Sequence, residues 1–230
     1  MSSPTMMPMS LEEIAQAVQG WLIAGTAAID TPVATSTFTD SRQIVEGSVF
    51  VAIAGERVDG HDYVSKVGAQ GAVAAIVDHE IDGAGVPQIV VEDTVLALGA
   101  LAKHNIERRR ALETPFTVIG ITGSVGKTTT KDLMKALLAH IGPTIAPVGS
   151  FNNEIGLPLT SLKVHAETRF LIAEMGANHV GEIANLTSLV PPDIAVVLKV
   201  GVAHLGEFGS PERIAQAKSE IIRGLVPGGL

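Results

Sequence analysis

The residues with the most definite chemistry are Gly123-Ser124-Val125-Gly126-Lys127-Thr128, followed by Thr129, between the apolar run Thr117–Ile121 and a helical stretch. A glycine-rich turn from strand to helix aims backbone N–H groups and a helix N-terminus at phosphate oxygens. In such a turn Lys127 would reach the β and γ phosphates of a nucleoside triphosphate, and the Thr128 hydroxyl would hold Mg²⁺. The spacing departs from G-x-x-x-x-G-K-[ST], because Gly120 lies one position too far upstream of Gly126. A chance lysine in an ordinary turn is the weaker reading, given the strand and helix on either side.

Three other side chains are candidates. Glu174 closes the apolar strand FLIAE, where a carboxylate would face the phosphate site and complete a Mg²⁺ shell; a solvated strand-end acid suits the position equally well. His204 follows the run DIAVVLKV, and Lys218 is expected on the inward stripe of the last helix with Ile214, Ile221 and Ile222. Alone, a histidine in such a place is more often structural, and a helical lysine more often snorkels.

These groups must be carried by alternating strands and helices. From Phe116 the pattern gives a strand at Thr117–Ile121, a helix at Thr128–His140, strands at Phe170–Glu174 and Ile194–Val200, and a last helix from Ser210 with Pro211 in its first turn. That order implies an α/β fold with a mainly parallel, doubly wound sheet and ligands at the carboxyl ends of its strands. Upstream the units are shorter. Ser10 and Glu13 form a capping box before Leu11, Ile14 and Val18, with Gly20 as the stop. Strands follow at Val33–Thr39 and Ser48–Ala54, a helix at Tyr63–Gln70 ended by Gly71, and strands at Ala72–Val77 and Ile89–Val91. Asp93 caps a helix to about Ala111, whose final Arg108-Arg109-Arg110 reads as a solvated face favoured by the helix dipole. Leu112–Pro115 reads as a linker, so the expected domains are 1–114 and 115–230, the second incomplete.

Composition narrows the function classes. With 46 % hydrophobic residues, 17 % charged residues and a mean hydropathy of +0.35, the chain has material for a core and is no disordered tail. Only 8 residues are aromatic, so platforms for stacking single-stranded nucleic acid are not expected. Residues 1–114 carry 7 Lys+Arg against 15 Asp+Glu, which repels polyanions, whereas 115–230 balance at 9 and 9 and admit a phosphorylated small molecule. No cysteine is present, which excludes thiol nucleophiles and disulfides. No apolar run approaches a membrane span and the start is unlike a signal peptide, so a cytoplasmic location is expected.

Four segments in order, TGSVGKTTTKD, SFNNEIGLPLT, AEMGANHVGEI and AHLGEFGSPERIAQAKSEI, resemble the Mur ligases of peptidoglycan synthesis. Upstream, Thr39-Asp40-Ser41-Arg42 and GSVFVAIAGERVDGHDYV resemble the family's UDP-binding domain, so the likeness covers nearly the whole chain. The family's own loop, G-x-x-G-K-[ST]-[ST], accounts for the glycine spacing. AEMGANHVGEI is closer to the branch that adds a dipeptide than to the branch that completes the tripeptide.

The resemblance implies a small UDP-binding α/β domain followed by a P-loop central domain, and ATP and Mg²⁺ as cofactors. It implies ATP-phosphate binding by Gly123 to Thr129, magnesium ligation by Thr128, Glu174 and His204, and carbamylation of Lys218 into a further oxygen ligand. Catalytic roles fall to Lys127, His204 and Lys218. Asp40, Ser41 and Arg42 would contact the UDP moiety; Gly55, Glu56 and Asp59-Gly60-His61 match a segment near it. Asn152 and Asn153 match a substrate-side loop, simple turn formation being the alternative. The implied reaction couples UDP-N-acetylmuramoyl tripeptide to D-Ala-D-Ala through an acyl phosphate. A regulatory P-loop switch or GTPase competes, but no N-K-x-D signature is present. A non-catalytic nucleotide-binding fragment also competes, because the family has a third domain; the chain alone is expected to bind UDP substrate better than it turns over. A monomer is expected of the full-length protein, and neither nucleic acid nor membrane as partner.

Overall fold

A computed structural model describes residues 6–24, 33–201 and 205–230. By its internal contacts the chain falls into two compact units, Met1–Asn105 and Ile106–Leu230.

In the first unit, α1 (Leu11–Ala17) leads to β1 (Trp21–Ile23), β2 (Ser36–Phe38), β3 (Ser48–Val51), α2 (Val64–Val67), β4 (Ala72–Val77), β5 (Gln88–Val90) and the start of α3 (Thr94–Arg110). The strands order β1-β5-β4-β3-β2, with β1 antiparallel to β5 and the other pairs parallel. Ser10 caps α1 as expected, accepting from the Glu13 amide at 3.0 Å, while the Glu13 carboxylate pairs with His104. The stop differs from expectation. Gln19, not Gly20, takes the left-handed conformation (φ 55°); Gly20 lets the chain pass close to β5, where a Cβ would lie 2.6 Å from Ile89 Cγ2. β2 is shorter than the run Val33–Thr39 because Val33 and Ala34 bond to Met9 and Thr35 to Gly47, and β3 stops before Ala54, which bridges to Asp59 instead.

The second unit contains the end of α3, β6 (Thr117–Thr122), α4 (Lys127–Leu138), β7 (Thr144–Ile145), α5 (Gly156–Ser161), β8 (Phe170–Glu174), α6 (Glu182–Leu189), β9 (Ile194–Val197), α7 (Leu205–Phe208) and α8 (Pro211–Arg223). Its described strands order β7-β8-β6-β9, all parallel. The two-residue period of the strands sorts side chains to two faces. Val118, Leu171 and Ala173 bury against α6 and α8 through Ile183, Leu186, Ile214 and Ile221, whereas Ile119, Ile121 and Ile172 face Met134 and Leu138 of α4. Gly120, outside the phosphate-loop spacing, has a packing role: a Cβ there would lie 3.1 Å from Ile221 Cδ1 and from Pro192. Ile222 does not share the inward stripe of α8. It is 56 % exposed, while Ile214, Ala217, Lys218 and Ile221 are buried.

The three-arginine run is corrected more sharply. Arg109 is 1 % exposed, and its guanidinium donates to the carbonyls of Thr168 (2.6 and 2.9 Å), Pro115 (2.9 Å) and Thr114 (3.4 Å). Arg110 forms a two-pronged pair with Asp193, both contacts 2.9 Å, and Asp193 also accepts from the Val118 amide at 2.7 Å. The run therefore fixes the segment before β9 and the start of β6, the strand that carries the glycine-rich loop.

Candidate functional site

The loop leaves the carboxyl end of β6, an interior strand. Gly123 (φ 148°) and Gly126 (φ 90°) adopt backbone conformations that L side chains rarely take, and a Cβ on Gly123 would lie 2.8 Å from Leu198 Cβ. The chain after β9 braces the loop, with the Ser124 amide donating to Lys199 O and the Gly201 amide donating to Ser124 Oγ, both at 2.9 Å. Gly126 is the N-cap of α4 and offers no side-chain cap, so the first-turn amides present donors to a ligand. Lys127 Nζ donates to Gly123 O at 2.7 Å, closing the loop on itself, and Val125 and Thr129 are exposed.

Glu174 ends β8, the neighbour of β6, and is 1 % exposed. Thr128 Oγ1 donates to its Oε2 at 3.3 Å and Asn152 Nδ2 to its Oε1 at 2.9 Å. A buried carboxylate whose donors here are neutral, next to a threonine at the head of a phosphate-type loop, suits a hard divalent cation. Asn153 acts differently: its Oδ1 accepts from the Gly156 amide at 3.0 Å and starts α5, a turn-forming role. Both asparagines line a cleft of about 420 Å³ together with Glu154, Ala177, Asn178 and Glu182.

Lys218, on α8, is 2 % exposed; its Nζ donates to Ala177 O at 3.2 Å and lies 5.6 Å from the centre of the Phe208 ring. Burial first, and the Lys127 ammonium second, push its pKa down from 10.5 to about 8, against the pull of Glu182 and Glu220. The structure thus gathers Lys127, Thr128, Glu174, Asn152 and Lys218 around one loop. His204 lies outside the described residues.

Two groups here escaped the sequence reading. Glu220, two positions after Lys218, accepts from the Gly181 amide at 2.7 Å and the Ala184 amide at 3.0 Å, tying α6 to α8. Lys131, one turn beyond Thr128, is buried. The helical spacing from Lys131 to Met134 and Leu138, which face the core, is the signal that marks its inward side.

In the first unit, Thr39, Asp40, Ser41, Arg42, Phe50, Ile53, Val58, Gly60 and Tyr63 line a separate cleft of about 470 Å³. Asp40 caps the turn Ser41–Gln43 and accepts from the Arg42 side chain at 2.7 to 3.2 Å; that bond, with the Arg42 amide, holds its pKa at about 2. Arg42 is otherwise exposed, its side chain free to face a ligand on one side. His61 is a buried anchor: Nδ1 bonds Asp59 at 2.6 Å and Nε2 accepts from the Asp78 amide at 3.2 Å, tying the Asp59-Gly60-His61 turn to the end of β4. Gly55 and Glu56 are exposed and do not line this cleft.

A parallel sheet with a glycine-rich phosphate loop on an interior strand and a buried acid on the next defines a P-loop α/β protein. The chain belongs to the Mur ligase family: residues 35–106 match the family described as "Mur ligase family, catalytic domain" and residues 121–230 match "Mur ligase middle domain". It is 43 % identical over 237 residues to the UDP-N-acetylmuramoyl-tripeptide–D-alanyl-D-alanine ligase of Mycobacterium bovis, covering 94 % of this chain and 46 % of that protein. Among solved structures, MurF from Acinetobacter baumannii superposes with a TM-score of 0.86 at 40 % identity, over 99 % of this chain and 48 % of that one. The Thermotoga maritima MurF ligase in complex with ADP gives a TM-score of 0.72 at 38 % identity, over 83 % of this chain and 43 % of that one. The chain spans about half the length of the curated relatives it matches. Among the described residues no helix is long and apolar enough to cross a membrane.

Proposed function

We propose that this chain carries the UDP-substrate site (residues 1–114) and the ATP-phosphate site (residues 115–230) of a ligase that joins D-Ala-D-Ala to UDP-N-acetylmuramoyl tripeptide in cytoplasmic peptidoglycan synthesis, hence in cell-wall growth, shape and division. The observation that carries the reading is Glu174, buried at the end of β8 and bonded to Thr128 of the glycine-rich loop. Identity of 43 % to a ligase named for these substrates, against ADP in a 38 %-identical neighbour, supports an adenine nucleotide over GTP.

In this reading the terminal carboxylate of the tripeptide attacks the γ-phosphate of ATP in line, giving an acyl phosphate and ADP. The amine of D-Ala-D-Ala then displaces phosphate, forming the amide. Carboxylate and triphosphate repel each other, so the chain's task is to neutralise charge and hold the reactants aligned. Lys127, the loop amides and the start of α4 do this from one side. Thr128 and Glu174 would hold Mg²⁺, which when bound supplies charge neutralisation at the phosphates. Asn152 keeps Glu174 oriented, and no side-chain nucleophile is required.

The depressed pKa of Lys218 suits carbamylation, since only the neutral amine adds CO₂. At pH 8 about half of such an amine is neutral, against about 0.3 % of an ordinary lysine. With ¹³C-labelled bicarbonate, a carbamate signal absent from Lys218→Met is expected to grow most steeply around pH 8. In Lys127→Ala its midpoint should move to higher pH, because a repelling charge is gone. A midpoint near 10.5 would contradict this environment.

The UDP site is tested by calorimetry on the 230-residue chain. Arg42→Ala is expected to weaken UDP-N-acetylmuramoyl tripeptide binding about tenfold or more, as loss of a charged contact does. Unchanged affinity would move the nucleotide away from the Asp40–Arg42 cleft.

A further inference from the structure

We propose that Lys131 is a positioning residue of the nucleotide and magnesium site, holding the loop Pro147–Asn152 against α4 so that Asn152 keeps Glu174 aimed at Thr128. This rests on the reading of Glu174 as a magnesium ligand. Lys131 is 3 % exposed; its ammonium donates to Pro147 O at 3.0 Å and to Gly149 O at 3.2 Å, and lies 2.8 Å from Asp132 Oδ1 as an ion pair. Two backbone carbonyls of the loop and an ion-paired carboxylate surround this buried ammonium, so Lys131 acts through the loop and not on the substrate.

Packing holds the ends of the loop, at buried Pro147 and where the Phe151 backbone lies against Gly156, but not its middle, where Val148, Gly149 and Ser150 are exposed and Gly149 is in the left-handed region (φ 61°). At its end the Asn152 carbonyl accepts from the Gly176 amide at 2.8 Å, and the Asn152 side chain donates to Glu174. Glu174 in turn accepts from Thr128, three residues before Lys131 on the same helix face. A closed circuit results: Thr128, one turn of α4, Lys131, the loop, Asn152, Glu174 and back to Thr128. Two charge-assisted bonds from Lys131 are the link that joins loop to helix. Removing them loosens the loop ahead of Asn152, whose carbonyl stays on the Gly176 amide while its side chain can turn from Glu174; Glu174 then loses its orientation toward the metal while the phosphate loop itself is untouched.

The test is ADP binding by the 230-residue chain as a function of Mg²⁺ concentration, followed by calorimetry. Lys131→Met fills the same space without donors. It is expected to need about tenfold more Mg²⁺ for half-maximal enhancement of ADP binding, in the range found for outer-shell partners of metal ligands, with affinity for Mg²⁺-free ADP unchanged. Asn152→Ala should give the same shift, and the double variant no more, because both act on Glu174 through one route. If Lys131→Met does not fold, Lys131→Gln, which keeps two amide donors, is expected to show a smaller shift of the same kind. A folded Lys131 variant with wild-type Mg²⁺ dependence, or one that loses Mg²⁺-free and Mg²⁺-dependent binding alike, overturns the assignment. A wild-type chain that binds no Mg-ADP overturns this inference and the nucleotide reading together.

Discussion

Replacing Arg109 by methionine is expected to destabilise the second unit by about 2–4 kcal/mol, the scale of losing hydrogen bonds from a buried charge and stranding their acceptors. The guanidinium serves three backbone carbonyls, those of Thr114, Pro115 and Thr168, and its carbon lies 4.9 Å from the centre of the Phe116 ring. Thr168 is fully buried, so its carbonyl has no water to turn to. Methionine restores the apolar contact with Phe116 but none of the donors. Lysine keeps a charge yet cannot fork toward carbonyls on two segments, so Arg109→Lys should fall between wild type and Arg109→Met. Urea unfolding followed by a probe in the second unit measures the difference. A value within about 0.5 kcal/mol of wild type, the usual range for exposed positions, would return the arginine run to the solvated face its sequence suggests.

Lys127→Ala is expected to weaken Mg-ADP binding about 100-fold, about 2.7 kcal/mol. The lysine is the cation of the Gly123–Thr128 loop, it sits at the head of a helix whose first-turn amides lack a side-chain cap, and its charge is felt at Lys218. Alanine removes that charge and the 2.7 Å bond to Gly123 O, but leaves the two positive-φ glycines and the bracing from Lys199 and Gly201 in place. The fold should therefore persist, with a melting temperature within a few degrees of wild type. Calorimetric titration and thermal melting, run on the same preparation, separate the two effects. Binding lost together with folding, or binding retained, would each contradict the assigned role.

Much of the second unit was legible because its information is local. Periods of two and 3.6 residues gave β6, α4, β8 and α8, and Ser210 capped α8 as its type and place suggested. The loop glycines were legible for the same reason, since only glycine suits their dihedral angles. Glu174 was half legible. Its strand and end position were clear, but whether it faced water or Thr128 depended on how β8 pairs with β6. The burial of Arg109, which the sequence places on a solvated face, and of Lys131 was not legible, because burial of a cation depends on carbonyls that a distant loop leaves without partners. Their stripes were nevertheless there to be seen: Leu98, Leu101, Ala102, Asn105, Ile106 and Arg109 are buried at helical spacing along α3. The short β1 and β7 left no trace in the periodicity, as two or three residues cannot establish a period. Gly20 suggests a helix stop in the sequence, whereas what the structure uses is its missing side chain.

The most direct measurement follows the backbone amide resonances of Gly123, Ser124, Val125, Gly126, Lys127 and Thr128 in the 230-residue chain on addition of Mg-ADP, with adenosine as the control. Saturable shifts concentrated on these amides with Mg-ADP, and absent with adenosine, are the result expected of a phosphate loop. Shifts elsewhere, or the same shifts with both ligands, would contradict it.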